Sequence, residues 1–194
     1  AALTAAESGL KILIIEQNAE WGGRCIVDFS TIGDETSGEY VSRLVSELKK
    51  FENVTMRSRM MGAGVYDHGY ILGYERLNDH LAEEDGPRHR LWRIRAKQII
   101  TATGSIERPI SFPSNDIPGV MLASAVRDYA VNFGVATGNK IAVYTNNDDA
   151  YRTAITLNEV GVEVPIIVDA RGSGGGVLAE RAKALGIRVE NGKA

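Results

Sequence analysis

At 194 residues with 44% hydrophobic content, the chain is long enough to bury a core and fits either one domain or two incomplete ones. A net charge of −3 excludes nucleic acid as the main partner, because neutralising phosphates needs a clustered basic face. No apolar run approaches the ~20 residues that span a bilayer, and the single cysteine excludes an internal disulfide framework. The expectation is a cytoplasmic protein without a membrane partner.

Residues 1–8, AALTAAES, are good helix formers, and Gly9 follows as a stop. Ile12-Leu13-Ile14-Ile15 is an unbroken, β-branched run, as expected for a parallel strand covered by helices on both faces. Glu16 ends it, and an acid at that place in a βαβ unit can accept both hydroxyls of an adenosine ribose. Helix, glycine, strand and acid form the second half of a dinucleotide-binding unit. The first strand and its Gly-x-Gly-x-x-Gly turn do not precede them, so the chain reads as a piece of a longer polypeptide, truncated at both ends.

Residues 17–33 read as a loop. Its Gly22-Gly23 pair either lets backbone approach a ligand closely or makes an ordinary turn. Some flavin disulfide reductases carry a redox cysteine just after such a pair, with a second cysteine five residues on. Here the second position is Ser30, so Cys25 reads as a small packing residue.

A helix is expected over 36–51, where Tyr40, Leu44, Val45, Leu48 and Phe51 share one face. Strands follow over 54–57, 60–67 and 70–75, the last two joined at Asp67-His68-Gly69. Residues 78–90 read as a polar surface excursion, and 91–96 as a strand with one basic, solvated face. His68, His80 and His89 fall in turns or polar sequence without a second ligand at metal spacing, so no metal site is expected. Gln98-Ile99-Ile100 reads as a buried strand running into Ala102-Thr103-Gly104, a small and glycine-ended sequence that lets backbone pass close to a cofactor.

A proline-punctuated linker then leads to a helix over 123–133 with Gly134 as its stop. A second strand-helix-strand unit occupies 140–144, 148–160 and 164–169. Thr145-Asn146-Asn147-Asp148-Asp149 stands where a glycine-rich phosphate loop would be, and carboxylates there repel a pyrophosphate. This second unit is therefore expected to be Rossmann-like in shape without the usual dinucleotide pose, although Asp169 could meet a ribose. Residues 172–176 read as a flexible glycine loop, followed by a helix over 177–185 and a strand over 187–190.

The fold class is thus α/β: an FAD/NAD(P)-binding Rossmann-like three-layer fold with an inserted small antiparallel sheet, then part of a second Rossmann-like unit. The expected divisions are 1–109, a linker and helix over 110–138, and 139–194.

The combination of ILIIE, WGG, LWRIRAKQIITATGSIERP, NDIPGVMLASAVRDY and KIAVYTNNDDAYRTA resembles the alpha subunits of heterotetrameric bacterial sarcosine oxidases, over essentially the whole chain. The resemblance implies NAD on this subunit, FAD and FMN elsewhere in the complex, and beta, gamma and delta subunits as partners. It implies oxidative demethylation of sarcosine to glycine, with hydrogen peroxide and a tetrahydrofolate-linked one-carbon product. By the same resemblance Glu16 takes the adenosine ribose and Gly22, Gly23 and Arg24 line the cofactor loop. Met61 lies on the strand near the adenine, and Ala102, Thr103 and Gly104 border the dinucleotide. No His, Lys or Cys constellation is arranged for amine oxidation, so no catalytic residue is assigned and the chain alone is expected to be inactive. Two other readings share parts of this pattern. One is a flavin-dependent NAD(P)H reductase or opine or amino-acid dehydrogenase subunit, and the other a redox-inactive interaction module.

Overall fold

In the computed structural model, which describes residues 1–82 and 86–193, the chain divides into two compact units, Ala1–Thr103 and Gly104–Ala194.

The first unit opens with α1 (Ala2–Glu7), which packs against the strand that follows it. That strand, β1 (Ile12–Ile15), is the apolar run expected from the sequence. Two-sided cover is incomplete, because Leu13 remains 40% exposed: β1 has one paired neighbour among the described residues. The region 17–33 is more ordered than a loop. It contains a single helical turn, α2 (Cys25–Asp28), and a short hairpin of β2 (Thr31–Ile32) and β3 (Glu35–Thr36).

Thr36 then starts α3 (Ser37–Leu48) with a capping box. Its hydroxyl accepts from the Glu39 amide while the Glu39 carboxylate accepts from the Thr36 amide, so two otherwise orphaned donors are satisfied. The chain returns as β4 (Val54–Arg57), parallel to β1 with Ile12 opposite Val54. Asn53 secures this return by donating to the carbonyls of Ala6 and Leu10.

An antiparallel sheet follows, formed by β5 (Met60–Tyr66), β6 (Tyr70–Arg76) and β7 (His89–Arg95) in the order β5-β6-β7. A left-handed His68 makes the first turn. His89 belongs to β7 and stacks on Tyr74 rather than lying in polar loop. Of the expected surface excursion over 78–90, residues 83–85 lie outside the described residues.

The expected buried strand at 98–100 is absent. Gln98, Ile99 and Ile100 are irregular, and Ile100 is 71% exposed. An extended segment becomes a strand by pairing its amides with a neighbour, and none among the described residues pairs with this one.

The second unit begins with the irregular linker and then α4 (Ala123–Phe133), which Gly134 terminates in a left-handed conformation. The Glu107 carboxylate caps this helix by accepting from the amide and hydroxyl of Ser124, where a negative charge meets the helix dipole. Then come β8 (Val143–Thr145), α5 (Asp149–Glu159), β9 (Ile166–Asp169), α6 (Gly176–Ala184) and β10 (Arg188–Asn191). The sheet is parallel throughout in the order β10-β9-β8, the arrangement of half a Rossmann fold. Its core is contiguous around Tyr151, Ala154, Leu157, Ile167 and Ala182. Among the described residues no helix is long and apolar enough to cross a membrane.

Candidate functional site

Glu16 stands immediately beyond β1, at the carboxyl end of the parallel pair. Its amide donates to the Arg57 carbonyl (2.9 Å) and its carbonyl accepts from the Met60 amide (2.8 Å), so its backbone is fixed between the ends of β4 and β5. The side chain is half-buried. Its Oε1 accepts from the Asn18 amide at 2.9 Å, while Oε2 takes no hydrogen bond among the described residues. The carboxylate is therefore oriented yet keeps acceptor capacity, which suits the hydroxyls of a ribose.

Met61 follows the Met60 contact directly. It lies opposite Tyr74 in the sheet and is 46% exposed. The structure thus brings the backbone of the Met60-Met61 strand to Glu16.

Gly22 and Gly23 lead into α2 with φ of +119° and +51°, values that favour glycine. A side chain at Gly22 would also come within 2.9 Å of Val41 in α3, so close helix packing demands glycine there independently of any ligand. Arg24 sits at the start of α2, half-exposed, with Asp28 at 3.5 Å. Ala102 and Thr103 are exposed in irregular backbone at the end of the first unit, and Gly104, with φ +71°, belongs to the second.

The turn after β8 shows why the second unit differs. Asn147 Oδ1 accepts from the amides of Asp149 and Ala150, so a neutral side chain fills the helix N-terminus where an anion could bind. The aspartates themselves turn to arginines. Asp149 pairs with the fully buried Arg127, and Asp148 accepts from Arg171 at 2.7 Å and from the Gly175 amide at 2.9 Å.

Asp169, at the end of β9, is fully buried. It accepts from the Tyr151 hydroxyl (2.8 Å), the Arg171 amide (3.0 Å) and two nitrogens of the Arg171 guanidinium. Burial pushes its carboxyl upward, but hydrogen bonds from Arg171 and Tyr151 outweigh that and hold it below the usual carboxylate range. The same burial and the Asp169 hydrogen bond push the Tyr151 hydroxyl up to about 12. Asp169 is occupied by the protein itself, which corrects the expectation that it could meet a ribose. Within residues 172–176, Gly174 and Gly175 are closely packed, since a side chain at Gly174 would meet Arg171 at 2.3 Å and one at Gly175 would meet Tyr151 at 2.6 Å, while Gly172, Ser173 and Gly176 are exposed.

This cluster was not read from the sequence. The signal lay in Asp169-Ala170-Arg171, an acid and a cation two residues apart beyond a strand, with the acidic turn of the preceding strand ready to share the guanidinium. Among the described residues no group of His, Cys, Asp and Glu is placed to hold a metal ion.

No family model matches the chain. It is 37% identical over 190 residues to the sarcosine oxidase subunit alpha of Rhizobium meliloti (strain 1021), covering 97% of this chain and 19% of that protein. It is 39% identical over 202 residues to the sarcosine oxidase subunit alpha of Corynebacterium sp. (strain P-1), covering 99% of this chain and 20% of that protein. The chain therefore spans about a fifth of the length of these relatives. Among solved structures it is similar to L-proline dehydrogenase from P. horikoshii, with TM-score 0.65 and 23% identity over 87% of this chain and 32% of that one. It is also similar to the HOCl-induced flavoprotein disulfide reductase of Escherichia coli, with TM-score 0.56 and 14% identity over 100% of this chain and 46% of that one. These structural likenesses establish a Rossmann-like fold.

Proposed function

We propose that this chain, related over nearly its whole length to one stretch of the sarcosine oxidase alpha subunits, is the adenosine-binding part of an NAD site in such a subunit. The parent complex would demethylate sarcosine oxidatively to glycine, with hydrogen peroxide and a tetrahydrofolate-linked one-carbon product. FAD and FMN, and with them catalysis, would reside on other subunits among the beta, gamma and delta partners.

The observation that carries this reading is Glu16, a carboxylate at the end of a parallel strand with Oε1 oriented by Asn18. In the first unit it would accept the ribose hydroxyls, while Gly22, Gly23 and Arg24 would line the same loop and the backbone beside Met61 the adenine. For Arg24, Ala102, Thr103 and Gly104 the assignment rests on the resemblance alone. Bound NAD supplies a nicotinamide ring able to take up hydride. The chain's own residues contribute binding and orientation, and none is assigned to proton transfer. The closed turn of the second unit supports placing the nucleotide in the first.

The test is made on the intact complex. Denaturation and mass identification of the released nucleotide should give NAD from this subunit, and FAD in its place would overturn the reading. Glu16→Ala should weaken NAD retention about tenfold, the loss of one good hydrogen bond to a charged group. Unchanged occupancy would show that Glu16 does not hold the ribose.

A further inference from the structure

The loop that carries Glu16 is held by the antiparallel sheet rather than by itself. Arg76 Nη2, from the end of β6, donates to the Gln17 carbonyl at 2.9 Å. The Arg59 amide donates to the Asn18 carbonyl at 2.8 Å, and the Asn18 amide in turn orients Glu16 Oε1. Arg59 has a left-handed backbone, φ +55°, a conformation that a bulky residue keeps only where its surroundings impose it. The surroundings do so here. The Arg76 amide donates to the Arg59 carbonyl (2.9 Å), Arg59 Nε donates back to the Arg76 carbonyl (3.2 Å), and the Arg59 guanidinium pairs with Asp79.

We propose that Arg59 and Arg76 form a clip that positions the Glu16 carboxylate toward the adenosine ribose, Arg76 acting through the Gln17 carbonyl and Arg59 through Asn18. This rests on the ribose reading of Glu16. Both arginines act on the loop backbone, so they are positioning residues, and their effect reaches the ligand only through the carboxylate. Loosening the clip therefore costs the hydroxyl hydrogen bonds and leaves other contacts of the nucleotide in place.

The test uses the intact subunit in its complex, freed of bound nucleotide, and two probes: NAD and an NAD analogue whose adenosine ribose is 2′,3′-dideoxy. Dissociation constants are measured by calorimetry for Glu16→Ala, Arg76→Ala, Arg76→Lys and the Glu16→Ala/Arg76→Ala pair. Each alanine variant should raise the NAD constant about tenfold, the scale of one hydrogen bond to a charged group. Binding of the dideoxy analogue should stay within about twofold, the double variant should be no worse than either single one, and Arg76→Lys, which keeps a donor, should recover most of the affinity. Equal weakening of both probes by Arg76→Ala would mean a merely structural role and would overturn the clip. So would unchanged NAD binding by Arg76→Ala where Glu16→Ala weakens it. If Glu16→Ala itself leaves NAD binding unchanged, the ribose reading fails and the clip fails with it.

Discussion

Asp169 shows how one residue can close a site that its place in the fold would open. Its carboxylate lies at the end of a parallel strand, as Glu16 does, yet all its bonds go to Tyr151 and Arg171. Asp169→Asn should destabilise the second unit by about 2–4 kcal/mol, because it breaks a buried, charge-assisted network on one side only. Tyr151→Phe removes one neutral donor to that network and should cost about 1–2 kcal/mol. The pH dependence follows in sign. The carboxyl of Asp169 is held below its ordinary value, so its contribution is full above pH ~4 and is lost as acid protonates it below that. The Tyr151 hydroxyl is raised to about 12, so its contribution is full below pH ~10 and is lost as the pH climbs toward 12. Denaturant titrations from pH 3 to 11 should show both losses in the native chain. In Asp169→Asn the acid-side loss should shrink.

Among the elements, α3 and α5 reach similar ends by different means. The first owes its start to Thr36 and Glu39, a pattern visible as Thr-x-x-Glu in the chain. Thr36→Ala should lower stability by about 1 kcal/mol, seen as a fall in Tm with an unchanged fold by circular dichroism. The second is started by Asn147 Oδ1, while the acids beside it serve arginines from α4 and from the loop after β9. What the acidic turn displays is occupancy: amides are taken by Asn147 and the charges are paired with arginines. Periodicity made α3, α4, α5 and the β5-β6-β7 sheet legible within a few residues, since each pattern spans the whole element. It failed at 98–100, because an apolar triplet has no preference of its own until a neighbouring strand supplies partners.

For the molecule as a whole, the contrast lies between the two units. The second has a contiguous core with Tyr151, Ala154, Leu157 and Ile167 almost wholly buried, whereas few apolar side chains of the first are fully buried, among them Ala6, Val27, Leu48 and Met60. Around the division at Thr103 and Gly104 the backbone is irregular, with Ile100 71% and Ile106 88% exposed. Limited trypsin digestion of this 194-residue chain should cut early after Lys97, which is exposed, and leave a resistant fragment containing β8 through β10. Early cuts at the arginines of α5 or α6 would contradict this distribution of stability. The sequence by itself determined the order of the longer helices and strands and the acid at the end of β1, because strand and helix periods are written along the chain. Only the tertiary structure decided which acids are open. Among the described residues Glu16 Oε2 takes no hydrogen bond while both oxygens of Asp169 do, because Tyr151 and Arg171 reach Asp169 through contacts that exist once the strands are paired.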